Sequence, residues 1–385
     1  MKVLKRIGMY LLAVILLLNV CILFSGNLYI YKTVSNTILK GRLGPSSDEY
    51  AIFSNREIKT ATEQKWSIAK SYNKYNIPAN TKTQFELYKP IAFLVIQNDS
   101  IQYEEYWDTY SEHSVTNSFS MAKSFVSILV GCAIDEGKIK SVDQAVGDFI
   151  PQYNEGNNKK VTIQHLLNMS SGINFDEDYI NPLAYPTRGL YGDDITTLTL
   201  AYKLTTEPGK KFEYLSGNTE LLAFVLKKAT GKTLSDYASE KLWKPMGASS
   251  NALWSLDHEN GTEKAYCCIN SNARDFARVA KLYLDSGRWN GKQLVNEQYV
   301  LNSIKPADLI NKEGNKIDYY GYSWWLLNYK GNSIFYARGI LGQYVIAIPD
   351  RNMIIVRLGH KRSKEKIGEH PKDLYLYIDE ALNMN

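Results

Sequence analysis

Histidine is scarce in this sequence. The five residues, His113, His165, His258, His360 and His370, stand at no spacing that would ligate a metal, and there is no H-E-x-x-H. No metal site is therefore indicated. His165 lies within "IQHLLNM" and reads as a structural residue of a short helix. The G-x-S-x-G elbow is missing, which removes the common α/β-hydrolase site. Neither G-x-G-x-x-G nor a P-loop occurs, so no dinucleotide or nucleoside-triphosphate cradle is indicated. Charge of one sign is nowhere concentrated: the formal net charge of +5 is spread along 385 residues, without the basic block that follows a nucleic-acid backbone. Cysteine is also sparse, with Cys21, Cys132 and the neighbours Cys267 and Cys268. Neighbouring cysteines rarely bridge because their side chains diverge, so no disulfide framework is expected. There is no internal repeat and no low-complexity segment.

What the sequence does contain begins at the N-terminus. Lys2, Lys5 and Arg6 precede an uncharged apolar run from Ile7 to Phe24. The run is near the minimum length for a membrane-crossing helix, and the basic residues should stay on the cytoplasmic side. A cleaved signal peptide is the competing reading. Phe24, Ser25, Gly26 and Asn27 make a poor cleavage site, and Leu18, Asn19 and Val20 before Cys21 make a poor lipoprotein site. An uncleaved anchor is favoured; under either reading the bulk of the chain lies outside the cytoplasm. The expected organisation is a tail at 1–6, an anchor at 7–24, a linker with a short helix at 25–85, and a globular domain at 86–385. The helix of the linker is expected within "ATEQKWSIAKSYNKYNIP", ending before Pro78.

The domain opens with a hairpin. Ile91–Gln97 is an apolar run, Asn98, Asp99 and Ser100 form a turn, and Ile101–Trp107 alternates. A buried helix follows in "SFSMAKSFVSILVGCAIDEGKI", with Met121, Phe125, Ile128 and Cys132 at helical spacing and Gly137 as its stop. Residues from about 138 to 250 read as mostly helical, including a helix capped by Thr162. Three strands, "SIFYARGI", "QYVIAIPD" and "MIIVRLG", come late. A closing helix places Leu374, Tyr377, Ile378, Ala381 and Leu382 on one face. The fold class is α/β (α+β): early and late strands joined in one antiparallel sheet, flanked by helices, with a helical subdomain beside it.

Ser120 and Lys123 are three positions apart at the start of the buried helix, so hydroxyl and amine share a face. The same spacing occurs at Ser67/Lys70, Ser71/Lys74 and Ser363/Lys366. A serine hydroxyl is a weak nucleophile until a base takes its proton. A solvated lysine, with a pKa near ~10.4, keeps its own proton at neutral pH. Burial disfavours the ammonium form. The apolar helix offers Lys123 that setting; the other three lysines lack it. Taken alone, the pair is equally consistent with a capping serine and a snorkelling lysine.

The segments "SFSMAKSF", "VTIQHLLNMSSGI", "PGKKFEYLSGNTELL", "NSNARDFARVAKLYLDSGRWNGKQLV" and "YGYSWWL", in this order, resemble the serine β-lactamase-like superfamily. "AFLVIQNDSI" and "ARGILGQYVIAIPD" are most similar to its nylon-oligomer (6-aminohexanoate-dimer) hydrolase branch. The resemblance spans about residues 85–360 and implies a β-lactamase-like serine hydrolase domain. It implies Ser120 as nucleophile, Lys123 as base, and Tyr214 as the tyrosine that passes a proton to the leaving group, its register supported by Leu221 and Leu222. Ser216 stands where the family carries asparagine, with Asn218 two further on. The third family motif reads Ala337-Arg338-Gly339. Gly339 implies close backbone approach to substrate, and the N–H of Ile340 an oxyanion hole shared with Ser120. Tyr179 resembles a substrate-contacting tyrosine of the nylon-hydrolase branch, and is equally consistent with a packed surface tyrosine. The expected function is cleavage of amide or ester bonds through an acyl-enzyme, on a small molecule or peptide, without cofactor or nucleic acid. The alternative is a catalytically weak penicillin-binding-like module that binds cell-wall peptides. Ala337 cannot pair with a substrate carboxylate, so neutral esters and linear amides are expected over β-lactams, unless Arg338 turns in.

Overall fold

The structure, a computed structural model, describes residues 2–384; Met1 and Asn385, the outer ends of the expected tail and domain, lie outside the described residues. The main sheet is built from β1 (Ser67–Ile68), β2 (Pro90–Gln97), β3 (Ser100–Tyr106), β4 (Trp325–Tyr329), β5 (Asn332–Gly339), β6 (Gln343–Ile348) and β7 (Met353–Gly359). Their order is β4-β5-β6-β7-β2-β3-β1, antiparallel throughout except for β1 against β3. The early hairpin therefore joins the late strands through β2 and β7, as the sequence leads one to expect.

β2 is buried from Pro90 to Ile96 because it lies inside the sheet with a core on each face. Ala92, Leu94 and Ile96 enter one core; Phe93 and Val95 enter the other. That two-residue alternation explains how an unbroken apolar run serves as a strand. The first core is closed by α3 (Ala122–Asp135) and α5 (Ala273–Leu284), and the second by α6 (Lys372–Leu382) through Leu374, Tyr377, Ile378 and Ala381.

α3 is buried along nearly its whole length. Gly131 sits mid-helix because a Cβ there would meet the Tyr299 ring at 2.6 Å. The helix ends at Gly137, whose φ of +66° suits a residue without a Cβ. α4 (Gly217–Thr230) packs against it. A smaller antiparallel sheet runs in the order 55–58, 252–255, 269–271, 116–117. Its last strand leads directly into the turn that carries Ser120.

Two expectations are corrected. Residues 61–78 do not form a helix: β1 and a series of turns occupy them, and the helix lies beyond Pro78, at Ala79–Glu86. Tertiary contacts override the helical period. Ala69 N–H donates to Ile101 O at 3.1 Å, Asn73 N–H to Gln102 O at 3.0 Å, and Trp66 Nε1–H to Arg274 O at 3.0 Å. Pro78, with its fixed φ, starts a helix as readily as it stops one. The second correction is that Cys267 and Cys268 are bridged. The backbone makes the tight turn this requires at Cys268, whose φ is +74°. Besides α4 the middle of the chain is helical in short pieces, α-helical at 163–167, 185–191, 195–201 and 234–238, the last running on as a wider turn at 239–243, with single 3₁₀ turns between 146 and 160.

The N-terminal apolar segment forms α1 (Lys2–Ser25), with no buried residue and a hydropathy of 2.7. It is long and apolar enough to cross a membrane. α2 (Tyr29–Asn36) follows after Gly26, Asn27 and Leu28.

Candidate active site

Ser120 lies in the 3₁₀ turn Phe119–Met121 that runs straight into α3. Phe119 has φ of +44°, a left-handed conformation that a bulky residue adopts only when its surroundings impose it. They do so through Ser118 and Asn117. Ser118 N–H donates to Ile269 O at 2.7 Å, Ile269 N–H returns a bond to Ser118 Oγ at 3.2 Å, and Phe119 N–H donates to Asn117 Oδ1 at 2.8 Å. On the other side, the end of β5 abuts the same turn. A Cβ on Gly339 would stand 2.3 Å from Ser118 O, so only glycine fits. Strand β4 pairs with β5 only as far as Tyr336, which leaves Ala337–Gly339 without a partner from β4.

Lys123 is buried, 1% exposed. Its Nζ lies 3.0 Å from Ser120 Oγ and 2.9 Å from Tyr266 O. The rings of Tyr214 and Tyr266 stand 5.1 and 5.5 Å from the same atom. Tyr214 itself packs against Trp325 and Tyr320. Tyr214, distant in sequence, thus joins Ser120 and Lys123 in one locality. The spare Ser-x-x-Lys pairs have no such setting: Lys70, Lys74 and Lys366 are exposed.

Ser216 and Asn218 make their side-chain hydrogen bonds to residues other than Ser120 and Lys123. Ser216 is fully buried, and its N–H and Oγ both donate to the Glu177 carboxylate at 2.6 Å. Asn218 Nδ2 donates to Met169 Sδ at 3.5 Å. Glu177 also accepts from Tyr179 Oη at 2.7 Å, so it ties the Tyr179 loop to the Tyr214 turn. Tyr179 is half exposed, yet burial of its hydroxyl end, with Glu177 and Tyr214 nearby, pushes its pKa up. Ala337 is buried in the first core. Arg338 points to the opposite side. Its guanidinium stacks 3.4 Å from the Trp325 ring centroid, and Nη1 donates to Glu369 O at 2.9 Å.

A cleft of about 580 Å³ opens beside Ser120. Tyr179 and Ile340 line it; Arg338 does not. Its other walls include Cys267 and residues from 33 to 45, a stretch the sequence offers only as linker.

Glu177, Tyr266 and the disulfide were not legible as site residues. Tyr266 contributes its backbone carbonyl, which no side-chain motif signals. Its segment is braced from beneath: Ala265 N–H donates to Glu220 Oε2 at 2.9 Å, and Lys264 stacks on Phe53 at 3.9 Å. Burial pushes Glu220 up and Lys264 down, each toward its neutral form. His165 has the structural role expected. Its N–H donates to Thr162 Oγ1 and its Nδ1 accepts from Thr162 N–H, closing a capping box.

A hydroxyl on the first turn of a buried helix, beside a buried amine and under a glycine-ended strand, defines the class of serine hydrolases. The Beta-lactamase family model matches residues 90–378, and the chain belongs to that family. It is 27% identical over 285 residues to a 6-aminohexanoate-dimer hydrolase of Paenarthrobacter ureafaciens, an alignment covering 69% of this chain and 71% of that one. Among solved structures it resembles a Bacillus anthracis protein assigned as a 6-aminohexanoate-dimer hydrolase, with TM-score 0.72, 23% identity and coverage of 86% and 91%. It also resembles a penicillin-binding protein of Bacillus halodurans, with TM-score 0.60, 18% identity and coverage of 80% and 100%.

Proposed function

We propose that the chain is a membrane-anchored serine hydrolase that cleaves amide or ester bonds through an acyl group carried on Ser120. The observation that carries this reading is the 3.0 Å contact between Ser120 Oγ and the buried Lys123 Nζ. Nζ is held between Ser120 Oγ and Tyr266 O, and in the reaction it takes the Ser120 proton. Ser120 Oγ then bonds to the substrate carbonyl carbon. The N–H groups of Ser120 and Ile340 hold the oxyanion. The bond to the leaving alcohol or amine breaks, and Tyr214 passes it the proton that Ser120 gave up. Water adds to the acyl-enzyme, the ester bond to Ser120 breaks, and a carboxylic acid leaves.

The 27% identical relative, named for hydrolysing an aminohexanoate dimer, supports an amide. Arg338, stacked on Trp325 and bonded to Glu369 O, does not line the cleft, so the third-motif strand offers no cation to a substrate carboxylate, which favours substrates that are neutral at that end. α1, exposed along its length, acts as an uncleaved anchor with the domain outside the cytoplasm. The alternative, a weak penicillin-binding-like module, draws on Ser216 and Asn218 being engaged elsewhere.

A fluorophosphonate probe should label the wild type and fail to label Ser120→Ala; labelling that survives this change overturns the assignment. A fluorescent acyl ester distinguishes the alternative, since an enzyme loses the label during a chase and a trap retains it.

A further inference from the structure

The cleft beside Ser120 is walled mainly by apolar side chains, among them Ile38, Leu43, Phe119, Ile180, Leu190 and Ile340. Lys364 is the one charged side chain lining it among the described residues. Its volume of about 580 Å³ falls in the range, roughly 300–1,000 Å³, that encloses a drug-sized ligand. The mouth is apolar too. Leu43 and Ile180 are 101% and 93% exposed, and Ile38 is exposed with them. Large apolar side chains gathered in this way on a water-facing surface mark contact with a partner or a membrane.

The position of the mouth identifies the partner. α2 and the residues up to Pro45 form one wall of the cleft, and α2 follows α1 after three residues. Ser25 to Tyr29 is four Cα steps, at most about 14 Å. α2 is also tied back to α1, since Tyr31 Oη donates to Asn19 Oδ1 at 2.8 Å. On its other side Tyr29 Oη donates to Pro182 O at 3.1 Å, in the loop that carries Ile180 and Leu183. One short helix thus joins the anchor to both lips of the cleft. With α1 across the bilayer, these lips have no room to stand away from its surface.

We propose that the mouth docks on the membrane and that the substrate is a neutral long-chain acyl ester or amide resident in the bilayer, whose acyl group enters the cleft beside Ser120. This rests on the anchored serine hydrolase reading above. Acyl transfer is as written there: the acyl group passes to Ser120 Oγ, the alcohol or amine leaves protonated, and water releases the fatty acid. Each methylene buried in the cleft should raise kcat/KM by up to about fourfold.

The test uses the full chain reconstituted in phosphatidylethanolamine/phosphatidylglycerol vesicles. Two probes are compared on each preparation: 4-methylumbelliferyl palmitate carried in the bilayer and p-nitrophenyl acetate in the water. The wild type should prefer the palmitate ester. Leu43→Asp and Ile180→Asp should lower the palmitate-to-acetate ratio of kcat/KM at least tenfold. Circular dichroism reports that each variant is folded, and the ratio is independent of the amount active. A wild type that prefers acetate, or a ratio that both substitutions leave unmoved, overturns this inference and leaves the hydrolase standing. A wild type that hydrolyses neither ester overturns the hydrolase reading and this inference with it. Release of the chain by carbonate washing overturns the anchor and the docking together.

Discussion

Glu177 is the residue whose removal tests the site's framework most directly. Its carboxylate accepts both the N–H and the Oγ–H of Ser216, which is fully buried, and the hydroxyl of Tyr179, which is half exposed. Glu177→Ala strands the two Ser216 donors, whereas Tyr179 can turn to water. A buried donor left without a partner costs ~1–3 kcal/mol. Allowing for some water entry, the variant should lose about 2–4 kcal/mol. With an m-value near ~3 kcal/mol/M, the urea midpoint should fall by roughly 0.7–1.3 M. Ser216 lies two residues after Tyr214, so loosening this turn also displaces the tyrosine beside Lys123. A shift of about 1 Å in a reacting group can cost up to ~10²-fold, and kcat should fall by about 10–100-fold with KM little changed. Glu177→Gln keeps an acceptor for Ser216 N–H, and Ser216 Oγ can reverse its bond to accept from the new amide. That variant should lose less than ~1.5 kcal/mol. Urea unfolding followed by tryptophan fluorescence, with ester hydrolysis on the same samples, gives both readouts. A Glu177→Ala protein with the wild-type midpoint and kcat would refute the reasoning.

Two further outcomes follow from named contacts. Lys123→Arg places a permanent cation where a base is required, so ester hydrolysis should fall at least ~10²-fold in a protein shown folded by circular dichroism; near-normal turnover contradicts the role given to Lys123. His370 sits 2.7 Å from Tyr336 Oη, and burial, with Arg338 and Lys366 nearby, lowers its pKa to about 4. Between its ordinary pKa of 6.5 and 4, the unfolded chain takes up a proton that the folded chain refuses, so stability falls as pH drops. From pH 7.5 to 5 the wild type should lose about 2 kcal/mol more than His370→Gln, read from urea midpoints; equal losses would refute the shift.

The parts of the fold that were legible are those in which local pattern and tertiary environment agree. β2 and β7 read as strands because they are apolar enough to be covered on both faces, and α3 reads as a buried helix because almost every side of it is apolar. Ser120 and Lys123 were legible because one helical turn brings them together without help from elsewhere. Tyr214 emerged only through a family resemblance, since nothing in its own neighbourhood points to Lys123. The segment at 61–78 failed because its polar helical period competes with backbone pairing to β3, which no local signal reveals. Glu177 looked like one acid among three in "FDEDY", and its three donors lie on residues 179 and 216. The stretch from 33 to 45, which local sequence marks only as linker, forms a wall of the cleft.

The bridge between Cys267 and Cys268 has an unusual mechanical meaning. A disulfide restricts the unfolded chain by an amount that grows with the logarithm of the loop it closes, and between neighbours that loop is the smallest there can be. Its influence on overall stability through that route is therefore negligible. What it stiffens is the span between two fixed points. Tyr266, immediately before it, offers the carbonyl that holds Lys123; Ile269, immediately after, exchanges hydrogen bonds with Ser118 beside the nucleophile. The pair acts as a spacer of set length between the mount of the amine and the mount of the hydroxyl. Opening it should therefore be read first in the rate of the reaction at Ser120, not in the urea midpoint of the fold.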